Sequence, residues 1–253
     1  MQGKSQMILR FLDRNENTKP TIALEYTYGR RTRGMIKDVA NIWELGGGTS
    51  LLNLFDIPLT KKNIEISSVL IVVDLSKPEQ MWNTFYDLLN AIRKRLDDIM
   101  NELNKSTPFV YERIMRTHKK RFSDHQDASM LKPLPIPLAI VGAKYDVFQN
   151  FEPENRKNIC KILRFMAHSN FASLQMFSTQ MENLVIRCRA LISHMVFGTT
   201  AVKTINTDFN KPLSITAGSD CFEVKALDPC LMRRNFLKKI TLIQENTPEN
   251  LSN

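Results

Sequence analysis

Residues 68–75 read SVLIVVDL, an unbroken apolar, β-branched run between a serine and an aspartate. A strand buried on both faces has this composition, because a parallel sheet with helices on each side sends alternate side chains into two cores. Residues 136–142, IPLAIVG, repeat the signature, and 172–177, ASLQMF, carry a weaker form of it. The segments between them are helical in period. From Glu79 to Lys105 the apolar positions Met81, Trp82, Phe85, Leu88, Leu89, Ile92, Leu96, Ile99, Met100 and Leu103 recur every third or fourth residue, as one helix face requires. Pro78 opens that helix, where its missing N–H costs nothing. Residues 153–168 repeat the pattern behind Pro153, and residues 181–197 repeat it before Gly198, a natural helix terminator. Strand and helix in alternation predict parallel βαβ units: an α/β fold with a sheet flanked by helices.

Working outward, residues 20–28, PTIALEYTY, alternate Ile22, Leu24, Tyr26 and Tyr28 against polar or small neighbours, the period-2 pattern of a strand with one apolar face. Residues 39–45, VANIWEL, suit a second strand across an RRTRGMIKD turn, which makes an antiparallel hairpin. Residues 105–134 are basic and end in KPLPIP, and are expected to form an irregular surface insertion. Residues 209–217, FNKPLSITA, supply one further strand, and beyond Ser219 a basic stretch runs into the polar tail PENLSN.

The chain has 253 residues, enough for one sizeable α/β core. No apolar run approaches the roughly 20 residues of a membrane-spanning helix, so no membrane insertion is expected. The opening MQGKSQM lacks the apolar core of a signal peptide, which sets a cytosolic default. The four cysteines, Cys160, Cys188, Cys221 and Cys230, share no CxxC spacing and read as reduced thiols; neither Cys nor His clusters at zinc-ligand spacing, so no metal is expected. The net charge of +9 favours acidic partners. Its excess is scattered over Arg30, Arg31, Arg33 and Lys37, then Arg113 to Arg121, then Arg233 to Lys239, without the interleaved aromatics of an RNA-binding face; solvated surface is the plainer reading, and no nucleic-acid partner is expected.

Four short elements carry nucleotide chemistry. Gly3, Lys4 and Ser5 match the second half of a P-loop, in which backbone N–H groups wrap phosphates, the lysine reaches the β/γ oxygens and the hydroxyl holds Mg²⁺; residues 6–12, QMILRFL, suit the helix that follows. Trp43-Glu44-Leu45-Gly46-Gly47 stands where GTPases carry DxxG, with Glu44 for the magnesium-linked aspartate. Ala143-Lys144-Tyr145-Asp146 stands where they carry NKxD, with Ala143 in place of the asparagine amide. Ser178-Thr179-Gln180 follows the next strand, where GTPases carry the base-contacting SAK element. Order and spacing fit a Ras-like, P-loop NTPase-type domain, and every element is degenerate. A plainer reading stands beside each: Gly46 to Gly48 as a tight turn, and Lys144 with Asp146 as a strand-end ion pair. Hydrolysis is not expected, because phosphoryl transfer depends on phosphate positioning that a half-built loop does not supply.

The stretches KPTIALEYTYGRRTRG (19–34), IWELGGGTSLLNL (42–54), VDLSKP (73–78), PIPLAIVGAKYDVFQNFE (135–152), RKNICKILRFMAH (156–168) and NKPLSITAGSD (210–220) together resemble the dynein 2 light intermediate chain family. The pairing of ALEYTYGRR with WELGGGTSLL is the most specific part. The resemblance implies a Ras-like domain over residues 1–220, lacking the first strand and half of the P-loop, followed by a divergent basic and polar tail over 221–253, as in a partial gene model or splice form. It implies a non-catalytic accessory subunit of the motor that binds and stabilises the dynein 2 heavy chain, with other dynein 2 subunits and intraflagellar-transport trains as partners. Retrograde ciliary transport and cilium assembly would be its work. Cytoplasm, cytoskeleton, the axoneme and basal body of the cilium, and the centrosome region would be its places. Carried over by position, Gly3, Lys4 and Ser5 fall on the P-loop, Thr21 on switch I, Glu44 and Gly47 on the DxxG region, and Lys144 with Asp146 on the base-reading region. No cofactor is expected of this chain; residual guanine nucleotide with magnesium is expected only of full-length homologues. The alternative is a guanine-nucleotide-binding P-loop GTPase that acts as a regulatory switch.

No catalytic residue is assigned. His168 ends a helix, where a cation complements the dipole, and His118 and His125 are expected in solvent. Asp74 ends a strand and is expected to be satisfied locally. Trp82 and Phe85 are expected in the core; Tyr28 with Arg30 and Arg31 is the candidate partner-facing patch.

Overall fold

The computed structural model describes residues 3–14, 16–200 and 205–222. Two sheets are formed. Strands β1 (Leu24–Arg33) and β2 (Ile36–Leu45) make an antiparallel hairpin that pairs Tyr26 with Trp43 and Arg30 with Val39. Strands β3 (Val69–Asp74), β4 (Leu138–Ala143), β5 (Ser173–Met176) and β6 (Ser214–Ile215) make the second sheet in the order β3-β4-β5-β6. β3, β4 and β5 are parallel and β6 is antiparallel to β5. Among the described residues no ladder joins the hairpin to this sheet.

The continuous apolar strands divide their side chains as their composition requires. Ile71 and Val73 of β3, with Leu138 and Ile140 of β4, enter one core. Val72 of β3, with Ala139, Val141 and Ala143 of β4, enters the other. The first core is covered by α2 (Pro78–Ser106), α3 (Pro108–Phe122) and α5 (Pro153–Ser169). The second is covered by α1 (Lys4–Phe11), through Met7, and by α6 (Glu182–Phe197), through Val185, Cys188, Leu191 and Ile192. A one-turn helix, α4 (Tyr145–Phe148), follows β4 directly.

The helix starts and stops follow local chemistry. Pro78, Pro108 and Pro153 each occupy the first turn of a helix, and Gly198 ends α6 in the left-handed conformation at φ 61°. Trp82 and Phe85 are both buried in the core.

Residues 105–134 differ from the sequence reading. They hold the 15-residue helix α3, which packs on α2 with Ile114 buried, and Leu131, Leu134 and Ile136 behind it are buried too. Arg113, Arg116, Lys119 and Lys120 of α3 are exposed, Arg121 is partly buried and donates to the Leu134 carbonyl, and together they mask a narrow stripe of Val110, Tyr111 and Ile114. The hairpin also differs in extent. β1 runs on through Arg33, and the turn is only Gly34–Met35, where Gly34 takes φ 61°. Residues 20–23, placed in the strand by their alternation, lie before it. Of the tail over 221–253, only Cys221 and Phe222 are among the described residues.

Candidate functional site

The nucleotide-like elements gather around the start of α1 and the C-terminal end of β4. Gly3 caps α1 at φ 79°, a conformation glycine adopts freely. A Cβ there would lie 3.5 Å from the Cβ of Ala143, so the start of α1 abuts the end of β4. One turn in, the Ser5 hydroxyl donates to Glu44 Oε1 at 2.8 Å and lies 3.4 Å from the Thr21 hydroxyl. Thr21 donates in turn to Glu25 Oε2 at 3.1 Å. Burial lowers the Lys4 ammonium from its ordinary value, and the charge of the buried Glu44 opposes that shift. Three segments apart in sequence, carrying Lys4 with Ser5, Thr21, and Glu44, thus meet at one place. Gly46 holds the turn behind them: a Cβ there would lie 2.2 Å from the Thr21 carbonyl oxygen, so only glycine fits. Gly47 follows at φ 70°. The sequence reading carried Gly47 over as a site residue and gave Gly46 only as part of a tight turn; the constraint on Gly46 comes from a close approach that one sequence does not display.

The opposite end is organised differently. Lys144 sits in the left-handed region at φ 62°, and its Nζ lies 2.6 Å from Asp74 Oδ2 and donates to the Ser76 hydroxyl at 3.2 Å. Asp74 Oδ1 also accepts from the Ser76 hydroxyl and N–H. Asp146 accepts from the Ser178 hydroxyl at 2.6 Å. The ion pair expected between Lys144 and Asp146 is therefore replaced by one between Lys144 and Asp74. The parallel register that sets Asp74 beside Ala143 accounts for the exchange, because it brings the C-terminal ends of β3 and β4 together. At the α1 end, a carboxylate with two hydroxyls and a lysine suits a hydrated magnesium and phosphate oxygens. At the Lys144 end, Ala143 has no amide to offer and the ammonium is held by a carboxylate. The donor set therefore fits the phosphates and not the base.

No family model matches the chain. It is 49% identical over 221 residues to cytoplasmic dynein 2 light intermediate chain 1 of Mus musculus, which covers 86% of this chain and 63% of that protein. The protein of the same name in Homo sapiens is 48% identical over 223 residues, 87% and 63% of the two chains, and that of Danio rerio is 46% identical over 222 residues, 86% and 61%. The chain belongs to the dynein light intermediate chain family. It spans a little under two thirds of the length of these relatives. Among solved structures, the crystal structure of a dynein light intermediate chain's conserved domain superposes with a TM-score of 0.64 at 15% identity, over 98% of this chain and 88% of that one. At that identity the likeness establishes the shared Ras-like fold.

Within this member of the dynein light intermediate chain family, one face of the hairpin clusters exposed apolar side chains. Side chains alternate between faces along a strand, so Tyr26, Tyr28 and Arg30 share a face with Trp43, Asn41 and Val39. Tyr26 and Trp43 pack in a tilted arrangement at 4.8 Å between centroids, and the Arg30 guanidinium lies 5.0 Å from the centroid of the Tyr28 ring. Tyr26, Tyr28, Val39 and Trp43 are each 41–55% exposed, unusual for four clustered apolar side chains. The other face carries Gly29 and Ala40 against Phe11 and Leu12 of the α1 region. Arg31 belongs to that inner face, with its guanidinium 5.7 Å from the Phe197 ring centroid. The structure therefore separates Arg31 from Tyr28 and Arg30.

The histidines also differ from expectation. His168 does end α5, but it is buried and lies 2.8 Å from Asp127 Oδ2. His125 is partly buried beside it, at 5.1 Å between ring centroids. His118 is half-buried against Phe122. Cys160 and Cys188 are free and buried, and burial pushes both thiols up to about 12, leaving them inert; Cys221 is free and exposed, and Cys230 lies outside the described residues.

Proposed function

We propose that this chain is a non-catalytic accessory subunit of the cytoplasmic dynein 2 motor, which binds and stabilises the heavy chain in retrograde intraflagellar transport and cilium assembly. The close identity to light intermediate chains of dynein 2 supports this reading. The observation that carries its non-catalytic part is internal pairing. Glu44 accepts from Ser5, Lys144 is held by Asp74, and Asp146 accepts from Ser178. At the base-reading positions Lys144 and Asp146 are both engaged by side chains of the chain itself.

The exposed hairpin face is the surface we assign to the heavy chain. Trp, Tyr and Arg are the residue types most often dominant in interfaces, and Tyr28, Trp43 and Arg30 stand together there with no acidic side chain on their face. Co-expression with the heavy-chain tail tests the reading. A stoichiometric complex that forms without added nucleotide is the expected result, and failure of the two chains to associate would refute it.

A second reading keeps the α1 end in use: a guanine nucleotide bound through phosphates and magnesium, acting as a regulatory switch. The convergence of Lys4, Ser5, Thr21 and Glu44 favours it. Chromatography of the supernatant after the folded protein is denatured decides between the two. Guanine nucleotide in equimolar amount would support the switch, and its absence removes that reading.

A further inference from the structure

We infer that His125, Asp127 and His168 form a binding site for a single divalent transition-metal ion, zinc by its donor set. The residues come from two elements. His125 and Asp127 lie in the turn that follows α3, and His168 lies at the end of α5, so the site would tie the α3 end to α5. One ligand atom from each of the three residues lies within 4.8 Å of the others. His168 Nε2 is 2.8 Å and His125 Nδ1 3.9 Å from the shared Asp127 Oδ2. Bonds of about 2.0–2.2 Å to a tetrahedral zinc put ligand atoms roughly 3.3–3.5 Å apart, so shifts of about an ångström close the set. Two imidazoles with one carboxylate suit zinc and its neighbours in the first transition row, not magnesium or calcium.

A hydrogen-bonded clasp is the simpler account of these contacts. Asp127 Oδ2 accepts from the Phe222 N–H at 2.9 Å and faces His168 Nε2, which would suffice to dock the 219–222 segment. The state of His125 goes further. The Asp127 N–H points at His125 Nδ1 at 3.1 Å, so Nδ1 carries a lone pair and the proton sits on Nε2, 3.0 Å from the Asp220 carbonyl oxygen. A metal-binding histidine likewise donates one ring nitrogen to a backbone carbonyl and keeps a lone pair on the other. The charges around the cluster are matched as well. The Asp220 carboxylate is taken by Arg164 through two hydrogen bonds of 2.6 and 2.8 Å, which leaves Asp127 as the carboxylate for the ion. The Phe222 ring stands edge-on to His168 at 4.3 Å between centroids and covers it. On binding, the proton of His168 Nε2 transfers to Nδ1, a buried atom with no hydrogen-bond partner among the described residues. The His125 lone pair turns from the Asp127 N–H to the ion, and no proton is released.

The test is calorimetric titration of the full chain with zinc chloride after dialysis against a chelator, joined to visible absorption with cobalt(II). Binding of one zinc per chain with Kd about 1 μM or tighter is expected, with a cobalt spectrum free of thiolate charge-transfer bands. His125→Gln, a change at a partly buried position, is expected to weaken zinc at least tenfold with the circular dichroism unchanged. His168→Ala should abolish binding; if it does not fold, His125→Gln decides. The inference is overturned by affinity weaker than about 100 μM, by a thiolate band that places the ion on cysteine, or by His125→Gln binding zinc as the parent does. The readouts are independent of dynein association, so the heavy-chain reading stands or falls separately.

Discussion

Lys144 occupies a backbone conformation that costs a non-glycine residue roughly 1 kcal/mol, and the ion pair with Asp74 holds it there. Burial by itself would raise the Asp74 carboxyl, but the Lys144 and Ser76 hydrogen bonds outweigh it and hold the group below its usual range. A carboxyl lowered on folding stabilises the protein above its unfolded value, near 3.8 for an aspartate, and that contribution is lost as pH falls through the lower folded value. Asp74→Asn should therefore cost about 1–2 kcal/mol at pH 7. The deficit should shrink steadily below pH 4, which denaturant midpoints measured along the acid limb would show. An unchanged deficit at pH 2 would mean that packing, not charge, sets the cost. The pairing itself was hard to read from sequence. Lys144 and Asp146 are neighbours in the chain, and only the parallel register of β3 and β4 reveals that Asp74 is nearer.

Among the elements, the buried strands and the long helix were legible because composition alone states their burial. SVLIVVDL and IPLAIVG became β3 and β4, and the period from Glu79 to Lys105 became α2 almost to the residue. α3 was not legible, since five basic residues between Arg113 and Arg121 outweigh a three-residue apolar stripe. Its packing predicts a measurable stability contribution. Ile114→Ala should cost about 2–3 kcal/mol and Phe85→Ala, at the centre of α2, about 3–5 kcal/mol; thermal denaturation would check both, and a silent Ile114→Ala would mean that α3 does not pack on α2. The hairpin was legible in its alternation but not in its length, because the arginines after Tyr28 look like a turn until Gly34 is seen to supply one. Its outer face carries the interface prediction. Trp43→Ala with Tyr28→Ala should lower heavy-chain affinity at least tenfold, about 1.4 kcal/mol or more, with little effect on Tm because both rings are 41% exposed. Arg31→Ala, on the inner face, should leave that affinity unchanged.

For the molecule as a whole, the α/β fold of the dynein light intermediate chain family is retained with its nucleotide-like side chains paired among themselves. Lys4, Ser5, Thr21 and Glu44 meet at the start of α1, and what the sequence could not state is that Ser5, Lys144 and Asp146 are bonded to Glu44, Asp74 and Ser178. The account's central claim is that this scaffold docks on a motor tail with no contribution from nucleotide. The most direct test is the affinity of the chain for the dynein 2 heavy-chain tail, measured in chelator and again with saturating GTP and magnesium. Equal affinity in the two buffers, at one chain per tail, is the predicted result; absence of binding, or binding that appears only with GTP and magnesium, would contradict it.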